Sequence, residues 1–330
     1  MAERVDVSGY TESTRWDAVI AALPARARVT AGEQRELACR AGARLLVPDD
    51  DEYPVPLKTI PAPPPFLLVR SEVRKEDALA LAIVGSRHAT AYGLEVAERL
   101  ARDLAGRGVT IVSGFARGID TAVHRGALAA GGRTIAVLGC GVDVCYPAEN
   151  RRLVAQVLER GALISQFPMG TAALPGHFPL RNRTIAGLAL GTIVVEAAER
   201  SGALITAGHA GELGREVFAV PGPVTSELSR GANRLIQDGA KLVQSWEDVV
   251  SELPEAWRRC LTEVAGAGPP RGAPAGDEEQ VLALVGGEPV HIDEVSERSG
   301  VASGRTAAVL LSLELKGWVR QLPGQRYTRL

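Results

Sequence analysis

Between residues 80 and 222 short apolar, often β-branched runs alternate with longer stretches whose apolar positions return every three or four residues. ALAIVGS (80–86), VTIVSG (109–114), TIAVLGCG (134–141), ALISQ (162–166), TIVVEAA (192–198) and EVFAVPG (216–222) have the pattern of strands buried on both faces. LEVAERLARDLAGRG (94–108), IDTAVHRGALAAGG (119–132), NRRLVAQVLERG (150–161) and ALITAGHAGELGR (203–215) have the length and period of helices. Strand, helix, strand at this spacing predicts right-handed crossovers. The fold class is therefore α/β: an extended, Rossmann-like, mainly parallel sheet with helices on both faces.

Two flanks break the pattern. Residues 1–52 form a short helical segment, with helical periodicity around RWDAVIAAL and GEQRELACRAG, and YPVPLKTIPAPPPF (53–66) leads into the sheet. The core is expected to span 53–255 and a linker 256–276, whose stretch AGAGPPRGAPAG (265–276) is nearly all Ala, Gly and Pro. Residues 277–330 then predict a helix, a short His-Ile-Asp entry, two more helices and a Gly-turned hairpin with Trp318 and Tyr327, a small winged-helix domain. With six basic and eight acidic residues, this domain is better suited to protein contacts than to a DNA groove.

Composition narrows the class. No apolar run reaches the roughly 20 residues of a membrane span, and the N-terminus lacks a leader pattern, so a cytoplasmic protein without membrane insertion is expected. Cys39, Cys140, Cys145 and Cys260 are scattered without a CxxC pair, which fits reduced thiols. Net charge is −2, yet residues 78–250 hold 17 Lys and Arg against 15 Asp and Glu. A polyanion would have to be held by a local patch.

In an open parallel sheet ligands collect beyond the carboxyl ends of the strands. The loops there read GSR (85–87), SGFARGID (113–120), GCGVDVCYPAEN (139–150), FPLRNR (178–183), ERSGALITA (199–207) and PGPVTSELSRGAN (221–233). Glycines admit a close ligand, and bare N–H groups with Ser, Asn and Arg suit anions. None of these loops contains lysine, which excludes a Walker A site, and the first turn holds GSRHATAYG where a dinucleotide site needs GxGxxG. His88, His124, His177, His209 and His291 show no metal-ligand spacing and read as surface or capping residues. Asp120 reads as a helix cap, and Glu196 as a carboxylate that binds a sugar hydroxyl or pairs with an arginine. No catalytic constellation, cofactor or metal site is expected.

GSR, SGFARGID, GCGVDVCYPAEN, FPLRNRTIAGL, VVEAAERSGALITA, REVFAVPG and GANRLIQDGA, in this order, closely resemble the DprA family, also called Smf, over roughly residues 53–250. The tail from 277 resembles that family's winged-helix domain. The resemblance implies a protein without known catalysis that binds and protects single-stranded DNA during natural transformation. It also implies a homodimer, formed through the Rossmann-like domain, that loads the RecA recombinase. The N-terminal segment departs from the pattern, since the glycine-rich hairpin of a longer helical domain is not found in residues 1–45.

A single strand offers phosphates and unstacked bases, so a binder needs cations, N–H groups and flat side chains. Gly85, Ser86, Arg87, Ser113, Gly114, Arg181, Asn182 and Arg183 suit phosphates, with Arg117, Arg151 and Arg152 as extensions of the track. Phe178 is the stacking candidate, with Phe115 and Tyr146 behind it. These guanidinium groups are expected to converge on one cleft. A rival reading is a nucleotide-processing enzyme of the LOG or lysine-decarboxylase-like type that cleaves nucleoside monophosphates through Glu196, although the chain has ERSGALITA where that type has PGGxGTxxE.

Overall fold

The computed structural model describes residues 31–261, 274, 276–286, 288–315, 318–322 and 324–329, so the RWDAVIAAL pattern lies outside the described residues. It divides into two units, Met1–Thr262 and Glu263–Leu330.

The first unit opens with α1 (Ala31–Ala41), β1 (Ala43–Leu46), the one-turn α2 (Val55–Lys58) and β2 (Leu67–Ser71). There follow β3 (Ala80–Gly85), α3 (Ala91–Gly106), β4 (Thr110–Ser113), α4 (Ile119–Ala129), β5 (Thr134–Leu138), α5 (Arg151–Arg160) and β6 (Ala162–Ser165). The chain continues through α6 (His177–Leu188), β7 (Gly191–Glu196), α7 (Gly202–Glu212), β8 (Glu216–Ala219), α8 (Glu227–Gln237), β9 (Lys241–Leu242), α9 (Trp246–Glu252) and α10 (Glu255–Arg258). All nine strands join one sheet in the order β1-β2-β6-β5-β4-β3-β7-β8-β9. Pairing is parallel from β6 through β9, whereas β1 and β2 add an antiparallel edge.

The central strand shows why the sequence folds this way. In β3, Ala80, Ala82 and Val84 face a layer that includes Ile185 and Leu188 of α6 and Ala203 and Ala207 of α7. Leu81 and Ile83 face Leu100 and Leu104 of α3 and Val123 of α4. Strict alternation, with both faces covered, accounts for the continuous apolar run. Each aliphatic side chain withdrawn from water here contributes about 1.5–3 kcal/mol. At the amino ends of the strands, Arg133 meets the buried Asp77 at 2.5 Å, and Thr110 Oγ donates to the same carboxylate. α10 runs three residues into the span 256–276 expected as linker, and Trp257 and Leu261 pack against the core.

The second unit holds α11 (Asp277–Leu284), β10 (Val290–His291), α12 (Ile292–Ser299), α13 (Ser303–Leu315), β11 (Val319–Leu322) and β12 (Arg326–Arg329), with sheet order β10-β12-β11. Val281, Leu282, Val295, Leu310, Leu313 and Tyr327 form its core. His291 caps α12 by accepting from the Asp293 N–H at 3.3 Å. On α13 the outward positions include Ala307, Ala308 and Leu311, and Arg305 is held by Asp277 at 2.5 Å.

Candidate nucleic-acid interface

Strands β4, β5 and β6 lie on one side of β3, while β7, β8 and β9 lie on the other. The sheet therefore changes winding direction beside β3, and the space beyond its carboxyl end is where such sheets hold their ligands. Arg87, two residues past β3, stands there exposed. Its guanidinium carbon lies 4.5 Å from the centroid of the half-buried Phe178 ring. The Arg181 guanidinium carbon is 5.7 Å from the same centroid, and Tyr146, 40% exposed, places its ring 6.0 Å away at an interplanar angle of 43°.

FPLRNR is part of a helix and not the loop expected: Phe178, Arg181, Asn182 and Arg183 all belong to α6. Pro179 falls in the first turn, where a missing N–H costs nothing. A helix spreads neighbouring side chains around its axis, so the expected convergence of Arg87, Arg181 and Arg183 holds for the first two alone. Arg183 turns aside and donates to the Pro61 carbonyl. Asn182 is buried and donates to the Gly202 carbonyl at 3.1 Å, joining α6 to α7.

Arg181 is only 3% exposed. Its Nη1 donates to the carbonyls of Gly114 and Val137, the latter at 2.6 Å, which ties the ends of β4 and β5 together. Burial lowers its pKa to about 10, so it stays charged at neutral pH, with Asp120 opposing that shift. Asp120 is buried in the first turn of α4, and burial raises its pKa while Arg181 holds it back. It does not cap the helix: Gly118 holds that position, and Asp120 Oδ2 accepts from the Ala116 N–H at 3.1 Å, folding the preceding turn. The exposed Arg87 and the buried Arg181 make this corner cationic, with Asp120 the acidic group set against them.

The turn after β4 is strained and held from several sides. Phe115 adopts φ 63°, the left-handed region, and is buried. Arg181 takes the carbonyl before it, Asn150 donates to its own carbonyl at 3.2 Å, and Asp120 takes the N–H after it. Phe115 therefore packs inward and offers no ring to a ligand. At Gly114 a Cβ would meet Arg181 Nη1 at 2.3 Å, and at Gly118, with φ +72°, the Ser86 carbonyl oxygen at 2.3 Å. Gly85 serves packing too, since a Cβ there would lie 2.6 Å from Ile119. Ser113 Oγ donates to the Ile83 carbonyl at 2.7 Å, and Ser86 Oγ accepts from the His88 N–H at 3.1 Å.

Arg117 is exposed and bound by Glu149 at 2.7 Å. Arg151 and Arg152, at the start of α5, are also exposed. His124 is no surface residue: it is wholly buried, with Nδ1 2.7 Å from Thr134 Oγ. That hydroxyl already donates to the Ile111 carbonyl, so Nδ1 carries the proton. Burial first, then the Arg181 charge, lowers the His124 pKa to about 3.

Among the described residues Glu196 pairs with no arginine. It is buried at the end of β7, where Oε2 accepts from the Thr90 N–H at 2.9 Å and Oε1 from the Thr90 hydroxyl at 2.6 Å. Thr90 in turn caps α3 by accepting from the Gly93 N–H. With both oxygens engaged, this carboxylate braces a helix start and is not placed for ribose chemistry. The four cysteines are free thiols, and Cys140 is pushed up to about 11 by burial. Among the described residues no group of His, Cys, Asp and Glu could hold a metal ion, and no helix is long and apolar enough to cross a membrane.

Residues 44–254 match the family model for DNA recombination-mediator protein A, and residues 265–325 match the DprA winged helix domain. The chain is 43% identical to Protein Smf of Escherichia coli K12 over 289 residues, covering 86% of this chain and 77% of that one. It is 45% identical to the DNA processing protein DprA of Streptococcus pneumoniae R6 over 204 residues, covering 62% and 72% respectively. The crystal structure of DNA processing protein A from Streptococcus pneumoniae superposes with a TM-score of 0.64 at 38% identity, covering 73% of this chain and 87% of that one. DNA processing protein A from Helicobacter pylori, whose structure is described for its single-stranded DNA binding mode, matches with a TM-score of 0.57 at 27% identity over 63% and 94%. With its sheet domain and its winged helix both matched, the chain belongs to the DNA recombination-mediator protein A family, known as DprA or Smf.

Proposed function

We propose that the site beyond β3 binds single-stranded DNA with little regard to sequence, protects it, and passes it to a RecA recombinase. The carrying observation is the exposed Arg87 guanidinium over Phe178, backed by the buried charge of Arg181. A cation for phosphates beside rings for bases suits an unpaired strand, whereas a duplex hides its bases. The Helicobacter pylori relative supports this reading, because its structure is described for that ligand. Homodimerisation through the sheet domain belongs to the same proposal. The winged helix is assigned to protein contacts, since Ala307, Ala308 and Leu311 face outward and Arg305 is engaged by Asp277.

Fluorescence anisotropy with oligo-dT and with duplex tests the proposal, comparing the unaltered protein with Arg87→Ala. Preferential binding of oligo-dT that weakens in the variant is the expected result. Equal binding of both substrates, or an unaffected variant, would overturn it. Filament formation by RecA on strand precoated with single-strand-binding protein, with and without this chain, tests the transfer step. The rival phosphoribohydrolase reading has no support from Glu196, whose oxygens both serve Thr90.

A further inference from the structure

Phe178 is less available than its position in the motif suggests. Arg87 lies over the ring, and Gly139 backs it so closely that a Cβ there would come within 2.9 Å of Phe178 Cδ1. The ring with open surface is Tyr146. It is 40% exposed and absent from the apolar clusters of the sheet domain, and no hydrogen bond of its phenol is found among the described residues. An aromatic side chain that packs into no core and stands beside a cationic corner suits a flat ligand better than it suits stability.

Its neighbours give that ligand a direction. Phe178 lies 6.0 Å away on one side, with Arg87 beyond it. Glu149, three residues after Tyr146, holds Arg117 at 2.7 Å, which brings a second exposed cation to the same turn. Two exposed cations and two rings supply partners for the phosphates and bases of an unpaired strand. At an interplanar angle of 43° the two rings do not form a parallel slot for one base, so each ring has its own base to meet. Arg87 and Arg117 are then the cations available to the flanking phosphates.

We infer that Tyr146 is a second base-stacking position beside Phe178, so that the site grips two neighbouring nucleotides with Arg87 and Arg117 serving their phosphates. This rests on the single-strand reading above and adds a residue and a footprint to it. Stacking is a property of the ring, so the phenol oxygen is dispensable. Backbone contacts are a property of the arginines, so a strand without bases does not sense Tyr146.

The test uses the full chain with oligo-dT and with an abasic oligomer of equal length, at one fixed salt concentration. Tyr146→Leu, Tyr146→Phe, Phe178→Leu and Arg87→Ala are compared, with thermal unfolding of each as a check on folding. Tyr146→Leu is expected to weaken oligo-dT binding about 5- to 10-fold and to leave the abasic oligomer within about twofold, while Tyr146→Phe binds as the unaltered protein does. If Tyr146→Leu binds oligo-dT normally while Arg87→Ala or Phe178→Leu does not, the Tyr146 assignment falls and the site stands. An equal loss on the abasic oligomer also overturns base stacking by this residue. Should none of the variants change binding, the strand lies elsewhere, and the proposed function at this site falls together with the inference.

Discussion

Arg181 reaches from α6 to the Gly114 carbonyl, 67 residues earlier in the chain, and holds the turn after β4 from beneath. This guanidinium is buried and faces Asp120, so its first duty is structural. Arg181→Met should lower unfolding stability by about 2–5 kcal/mol, because it leaves the buried Gly114 and Val137 carbonyls without their donor and removes the charge that faces Asp120. Asp120→Asn should cost less, and the double variant should fall short of the sum of the two. Urea unfolding checks this, and additive losses would show that the two groups act separately.

Arg87 has the opposite character. It is exposed, donates to no protein group among the described hydrogen bonds, and touches Phe178 through the ring face. Arg87→Ala should leave the thermal midpoint nearly unchanged while weakening oligo-dT binding. Removing one phosphate contact should reduce the slope of log K against log salt by about 0.7. An unchanged slope would assign Arg87 to some role other than neutralising phosphate.

The contrast between the two arginines marks how far the sequence could be read. β3 to β8 were legible because burial on both faces leaves uninterrupted apolar runs, as in ALAIVG. The antiparallel edge was not, since a proline-rich stretch instead of a crossover helix separates ARLL from LLVRS, and their pairing with each other and with β6 depends on distant partners. Within the site, residue types pointed to an anionic ligand, but they could not tell an exposed arginine from a buried one. Arg181 is buried because the Gly114 and Val137 carbonyls meet it from 67 and 44 residues away. Glu196 and His124 escaped for the same reason: Thr90 lies 106 positions from Glu196, and His124 lies on a helix whose buried face the spacing alone did not single out.

Arg117 is held by a carboxylate that competes with phosphate. Glu149 binds it at 2.7 Å, and both side chains are more than half exposed. The Glu149 pKa lies below its ordinary value, through its own backbone N–H first and then Arg117, so the carboxylate is ionised at neutral pH. Glu149→Gln should therefore tighten oligo-dT binding a few-fold at low salt, with the gain fading as ionic strength rises. An anisotropy titration at two salt concentrations measures this, and weaker binding in the variant would mean that Glu149 orients Arg117 for the strand instead of withholding it.

His124 should make the fold acid-sensitive in a defined window. In the unfolded chain the ring takes a proton as pH falls through 6.5, whereas in the folded protein it resists protonation until about 3. Between those values the unfolded state binds more protons, so the stabilisation is complete above 6.5 and is lost as pH falls toward 3. From pH 7 to pH 5 the loss from this one group is about 2 kcal/mol. Asp120 works the other way, because its raised pKa lets the folded state take up a proton first as the medium is acidified. His124→Gln removes the imidazole term alone, so its stability should fall less between pH 7 and pH 5 than that of the unaltered protein, whatever its stability at pH 7. Parallel urea unfolding at the two pH values decides it, and an equal acid loss in both proteins would mean that the buried ring is not held neutral.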